Sequence, residues 1–383
     1  FASTIYLANT SASAVTVELD PHAPNGNATQ NFPTQMTLNA GASATIDAVS
    51  LYTIGTDPLN TQFSAAINGG IGLRHNGSKD SDIRAYVVSQ NGSAEKFTTP
   101  FVYPASAQSA SGTMQCAPMY YVDSETSAYV GFQNATNSPQ TVAMVCNYGT
   151  GASGTSNGQY KDQTLNLGPQ QTFIVDLKSV ESQLGASDWG SMEVFTANPQ
   201  SVVCHSVMMS GENGIAWDSP FVDPAMSVNT TKVADSVMLD YNSAQNGYIM
   251  LCNMATASRS VTASFNTTTG VSIPPVVVNV PAVGQKMITL NAQQLLAPGS
   301  STTADVRLSY SGSPSDVEAA RCSLGSSGGP AVPVKFKEPS AADGQRITSP
   351  YFRFDNLVSG KILISNLGSS TLTAGAKMVF ANS

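Results

Sequence analysis

Four segments of this chain repeat one pattern. TIYLANTSASAVTVEL, AYVGFQNATNSPQTVAMV, YIMLCNMATASRSVTASF and KILISNLGSSTLTAGAKMVF each run as an alternating strand, an Asn, a short polar turn and a second strand. The marker residues are Asn9, Asn134, Asn253 and Asn366, 113 to 125 positions apart, far beyond the roughly 20 to 50 residues of a solenoid repeat. The period is that of a whole domain, so the chain is expected to fold as beads in series.

Further landmarks recur in the same order. Phe101 with Pro104, Phe221 with Pro224 and Phe336 with Pro339 are followed by Asp123, Asp240 and Asp355, and each Asp precedes the next marker Asn by 11 to 13 residues. Apolar and polar residues alternate over five to eight positions, β-branched residues are enriched, and turn clusters recur every 8 to 15 residues. That pattern predicts antiparallel strands with one face buried, about seven per unit, as in an Ig-like sandwich. The expected fold is all-β: three tandem Ig-like antiparallel β-sandwich domains at 1–110, 111–230 and 231–344, plus a partial C-terminal repeat at 345–383. Single helical turns are expected at DLKSVESQLG and NAQQLLAPG, each after a strand and so in the same crossover.

The two ends do not match. The second and third repeats open with a strand carrying the Asp landmark, MQCAPMYYVD and ADSVMLD, whereas the first opens directly at its marker hairpin. The tail supplies that element, ITSPYFRFD, and a hairpin. Three strands bury too little surface to stand alone, and an opened sandwich edge offers its backbone to any strand. Either the natural chain continues beyond these ends, or the tail of one copy completes the head of the next. In the tail, Ile347 and Tyr351 alternate with Phe352 and Phe354, whose aromatic face suits an open groove; Pro350 cannot donate to a ladder, so the strand is expected at an edge or to enter the neighbour beyond that point. These four residues are the expected assembly contacts, and copies of the same chain the expected partner.

Composition narrows the function. Only 11% of residues are charged against roughly 25% in ordinary soluble domains, with 17 Lys+Arg, 25 Asp+Glu and a net charge of -8. An acidic balance with no basic run argues against nucleic acid or an anionic membrane as partner. No window approaches the roughly 20 apolar residues of a membrane helix, and the opening at Phe1 in place of Met leads us to expect a secreted, extracellular or cell-surface protein whose export signal is gone.

Chemical motifs are scarce. Cys116, Cys146, Cys204, Cys252 and Cys322 include no CxxC pair, so no metal or cofactor is expected. Cys146 and Cys204 fall on matching core strands of one repeat and form the expected disulfide, a pair of buried thiols being the alternative; the other three are expected as thiols. Of the three histidines, His22, His75 and His205, the last neighbours Ser206 inside an alternating strand, where successive side chains face opposite ways, so an outward histidine is expected. Asp80 with Asp82, or Asp235 with Asp240, has the look of a glycosidase pair, but turn carboxylates commonly cap backbone amides. Asp123, Asp240 and Asp355 read as structural posts. No enzymatic activity is expected. The marker Asn bonds nearby backbone groups or tolerates a left-handed turn. Asn-x-Ser/Thr sequons fall at Asn9, Asn27, Asn76, Asn91, Asn134, Asn229 and Asn266, about as many as chance supplies. Trp189, Trp217, Tyr148, Tyr160 and Tyr241, and the loop at 150–160, are candidate sugar-stacking groups, with core packing as the simpler role.

The marker hairpin, an apolar strand followed by Asn, Thr or Ala, Ser or Asn, and a second strand with VTV, resembles the Asn-Thr-Gly hairpins of secreted bacterial Ig-like adhesion and surface repeat modules. Ser11, Thr136 and Ala255 replace their usual Gly. The resemblance implies an architecture and an extracellular setting. The expected function is a structural subunit of an extracellular filament or surface layer, built head to tail by strand complementation. The second expectation is a monomeric adhesin that binds surface glycans through exposed loop aromatics.

Overall fold

The computed structural model describes residues 2–22, 34–48, 69–91, 95–101, 114–122, 126–149, 156–161, 164–180, 189–198, 201–210, 215–221, 232–242, 246–268, 272–290, 301–324, 334–336, 364, 366 and 370–375. The fold is all-β, built from antiparallel sheets, and two short 3-10 turns are its only helical elements of three or more residues among those described. One of them, Leu177–Val180, lies in the expected segment DLKSVESQLG; the other, Asp80–Asp82, falls in a turn between strands. The stretch NAQQLLAPG begins at Asn291, outside the described residues.

The first seven strands are β1 (Ala2–Asn9), β2 (Val15–His22), β3 (Thr34–Leu38), β4 (Ser43–Asp47), β5 (Gly70–His75), β6 (Ile83–Asn91) and β7 (Glu95–Pro100). They form a four-stranded sheet, β4-β1-β6-β7, and a three-stranded sheet, β3-β2-β5. Ile5, Leu7, Val15, Val17, Leu19 and Ile83 fill the space between the two. Alternation explains the arrangement: Val15, Val17 and Leu19 point inward from β2 while Thr16, Glu18 and Asp20 stand between them.

Next come β8 (Met114–Tyr121), β9 (Thr126–Asn134), β10 (Gln140–Gly149), β11 (Ser156–Lys161), β12 (Leu165–Leu167), β13 (Thr172–Asp176), β14 (Trp189–Thr196), β15 (Val202–Ser210) and β16 (Ile215–Pro220). One sheet runs β11-β10-β14-β8, with β12 pairing the start of β10; the other runs β13-β9-β15-β16. Strand β9 alternates perfectly, burying Thr126, Ala128, Val130, Phe132 and Asn134 against Tyr120, Met144 and Val194 of the opposite sheet.

The third group is β17 (Val233–Asn242), β18 (Asn246–Asn253), β19 (Arg259–Thr267), β20 (Val276–Val280), β21 (Gly284–Thr289), β22 (Ser301–Tyr310), β23 (Val317–Leu324) and β24 (Val334–Lys335). Its sheets are β17-β22-β19-β20 and β21-β18-β23-β24, closed over Ile249, Leu251, Val261, Val306 and Leu308. Each sheet pair thus has its own core.

Several strands depart from simple alternation, β14 and β18 among them. Gly190, Ser191, Met192, Glu193 and Val194 on β14 are all buried, and so are Ile249, Met250, Leu251 and Cys252 on β18. A strand buried on both faces has a sheet behind it. Here the outer face of the β8–β14 sheet packs against the outer face of the β18–β23 sheet, with Met119, Tyr121 and Trp189 meeting Tyr248, Met250, Met287 and Ala320.

Candidate functional site

Asn9, Asn134 and Asn253 are buried posts that make the same bonds to the backbone, one in each sheet pair. Asn9 Nδ2 donates to the carbonyls of Ser13 (2.7 Å), Leu38 (2.9 Å) and Asn39 (3.1 Å), and its Oδ1 accepts from Ser11 N and Oγ (2.9 and 2.7 Å). Asn134 Nδ2 donates to Ser138, Leu167 and Gly168, with Oδ1 receiving Thr136 N and Oγ1. Asn253 repeats the set with Ala257, Val280 and Pro281, and with Ala255 N on Oδ1. One amide closes its own hairpin and clamps it to the end of a strand about 30 positions later. Asn366 shows the local half, donating to Ser370 O at 2.7 Å.

The clamped turn has its own signature. Gly41, Gln170 and Val283 occupy matching places in it, and all three have a left-handed backbone, φ 71°, 57° and 43°. Glycine adopts this without cost, whereas a β-branched Val there is strained.

Two of the carboxylates with the look of a hydrolytic pair, Asp82 and Asp235, are held locally. Asp82 Oδ2 accepts from Lys79 N (3.0 Å) and Ser78 Oγ, closing the turn before β6. Asp316 does the same before β23, taking Ser313 N and Arg259 Nε, each at 2.7 Å. Asp235 is held by Arg307 Nε at 2.8 Å on the neighbouring strand. Asp240 lies on β17 opposite Thr303, while Asp123, Asp355, Ile347, Tyr351, Phe352 and Phe354 lie outside the described residues. Among the described residues no cluster of three His, Cys, Asp or Glu has metal-binding geometry. His22 sits 3.3 Å from Asp20, and His75 Nδ1 accepts Gly77 N. His205 points away from its own core, as alternation requires, yet burial pushes its pKa down to about 4, and its Nε2 has no hydrogen-bond partner. Of the candidate aromatics, Trp189 is packed among methionines between sheet pairs; Tyr148, Tyr160, Trp217 and Tyr241 fall on β10, β11, β16 and β17.

Cys116, Cys146, Cys204 and Cys252 are buried thiols. Cys146 and Cys204 lie in one core, on facing sheets. Cys116 and Cys252 belong to different sheet pairs and meet between them, enclosed by Met114 and Met254. Close by, Glu193 is 1% exposed and accepts from Asn147 Nδ2 at 2.9 Å; burial nonetheless raises its pKa to about 7. Alternation did not reveal this group, because an outward position on a strand reads as solvent-facing. The unbroken apolar runs MYYV and YIMLC are the signal that both faces are covered.

The sheet edges carry one asymmetry. Strand β14 has β8 along its outer side, and β22 has β17. The matching strand of the first pair, β5, is bonded to β2 on one side, and no described strand runs along the other. On the face of this strand a Cβ on Gly70 would collide with the side-chain amide of Gln133, so the second pair lies against that face.

Buried amide posts, turn-capping carboxylates and a sheet edge with no described strand beside it define a β-sandwich-like all-β protein whose described polar chemistry is mostly spent on its own backbone. Compared with protein-family models, curated proteins and solved structures, the chain gives no match.

Proposed function

We propose that this chain is a non-catalytic structural subunit of an extracellular filament or surface layer. Its three sheet pairs are read as tandem Ig-like β-sandwich domains, and residues 345–383 as a partial fourth repeat that one copy lends to the next. The observation that carries this reading is the side of β5 along which no described strand runs, where the other two pairs each hold an additional antiparallel strand. An open edge in a repeat that elsewhere closes itself is a specific acceptor, since pairing there satisfies a row of backbone groups and covers one end of a core. The tail segment ITSPYFRFD stands at the repeat position of β8 and β17, and Phe352 and Phe354 give it an apolar face. Low charge density favours close packing of such copies.

Deletion of residues 345–383 tests the proposal. The truncated chain is expected to stay folded by circular dichroism and to appear in negative stain as isolated particles, where the intact chain forms uniform fibres. Phe352→Ala should weaken fibre formation and leave the unfolding of the second sheet pair unchanged. Long fibres from the truncated chain would remove the tail from the assembly, and isolated rods from the intact chain would favour the adhesin.

A further inference from the structure

The contact between the second and third sheet pairs brings together two cysteines that are 136 positions apart in sequence. Cys116 lies on β8, the outer strand of its sheet, opposite Glu193 of β14. Cys252 lies on β18, a central strand of the facing sheet, flanked by Gln285 and Glu318. Both turn away from their own cores: their neighbours Ala117 and Leu251 are the core residues. Their Sγ atoms are 2.6 Å apart and fully buried. Non-bonded heavy atoms settle at about 3.5 to 4.0 Å and a closed disulfide at about 2.05 Å, so the two sulfurs stand far inside contact distance and a small movement from bonding.

The geometry points to Cys116 and Cys252 as a disulfide-forming pair that covalently joins the second sheet pair to the third. Among the cysteines whose side chains are described, neither has a competing partner on its own face, because Cys146 and Cys204 belong to the interior of the second pair. The oxidant is a small-molecule disulfide such as oxidised glutathione. The Cys116 thiolate attacks one sulfur of that disulfide and expels one thiol, leaving a mixed disulfide. Cys252 then attacks the Cys116 sulfur and expels the second thiol. Two protons leave the protein, and its two electrons reduce the oxidant to two thiols.

The environment also sets the order of events. In the closed contact the Cys116 pKa is raised by burial first, then by Cys252, Glu193 and Glu318, which withholds the attacking thiolate. Oxidation therefore belongs to the moment when the two pairs first meet, with the cysteines still wet. Afterwards the same burial shields the bond from reductants until the contact opens.

The test is oxidative refolding of the full chain from the reduced, denatured state in a buffer containing oxidised glutathione, followed by alkylation and digestion without reductant. The expected product is a Cys116 peptide joined to a Cys252 peptide, lost on prior reduction. Cys116→Ser should leave Cys252 open to alkylation after denaturation. Reductant should lower the urea midpoint read by tryptophan fluorescence in the wild type and leave unchanged that of the Cys116→Ser, Cys252→Ser double variant. Alkylation of both cysteines in the unreduced wild type would overturn the proposal, as would a bridge from Cys116 to Cys146, Cys204 or Cys322. The wild-type map decides even if a variant fails to fold.

Discussion

The second sheet pair meets the first on one sheet and the third on the other, and the two contacts are chemically unlike. Towards the first pair it presents Gln133 against Gly70, with β15 and β16 beside β7 and with His205 on the same face as Gln133. Towards the third it presents sulfur and carboxylate: Met114, Cys116 and Met119 with Glu193, met by Met250, Cys252 and Met254 with Glu318 and Gln285. Inside each pair, by contrast, the Asn post recurs with the same backbone bonds and the same left-handed turn. Repetition fixes how each unit folds, and the outward faces of the same strands decide what it joins.

The strongest way to break this comparison is to attack the posts. Asn134→Asp keeps the shape but places a carboxylate against three backbone carbonyls, removing buried donors at a cost of about 4 kcal/mol. Asn9→Asp and Asn253→Asp should cost the same within about 1 kcal/mol, each in its own sheet pair, as read by hydrogen exchange. A post whose loss is harmless would show that the shared bonds are not what holds the units.

The two contacts should also titrate in opposite senses. Glu193 has a folded pKa near 7 against an ordinary 4.5, so the native state holds a proton the unfolded chain has released. Its contribution is full below pH 4.5 and falls as pH rises to 7, by up to about 3 kcal/mol. His205, lowered from 6.5 to about 4, contributes fully above pH 6.5 and loses that as pH falls towards 4, by about 2 kcal/mol given its partial exposure. Glu193→Gln should abolish the first dependence and leave the second; His205→Gln should do the reverse. Urea midpoints between pH 4 and 8 check both, and a variant with the wild-type profile would show that its group does not sense the contact.

The smallest effect sharpens the comparison inside the posts. Val283→Gly should stabilise the third pair by about 1 kcal/mol, because a β-branched residue at φ 43° is replaced by one at ease there. Gly41 already occupies that place in the first pair, so Gly41→Val should lower its urea midpoint by a similar amount of free energy.

Much of the interior was legible in the sequence. The alternation of β2 and β9 and the spacing of Asn9, Asn134 and Asn253 announced strands and a recurring hairpin, because one buried face imposes period two on a strand. The post's far bonds were not legible: they end on carbonyls of Leu38, Leu167 and Val280, and carbonyls are common to every residue type. Neither were the contacts between sheet pairs. Cys252 and Met250 stand where alternation expects solvent, and nothing local says that Cys116 and Met119 of another unit cover them. Among the described cysteines only Cys146 and Cys204 share a core within one repeat, so a meeting of Cys116 with a cysteine of another unit leaves no local signal.

The bonds at Asn9 and Asn134 bear on where this protein can be made. In both, the hydroxyl two places on, Ser11 Oγ or Thr136 Oγ1, is hydrogen-bonded to the Asn side chain, so the triplet that a eukaryotic oligosaccharyltransferase reads is also the triplet that builds the turn. A sugar is attached at Nδ2, the atom that here donates to three carbonyls. In a secretory pathway that glycosylates such triplets, the enzyme and the fold compete for one nitrogen as the chain emerges. A chain that loses the race at either site cannot close that hairpin, while the third post, with Ala255 two places on, is never a substrate.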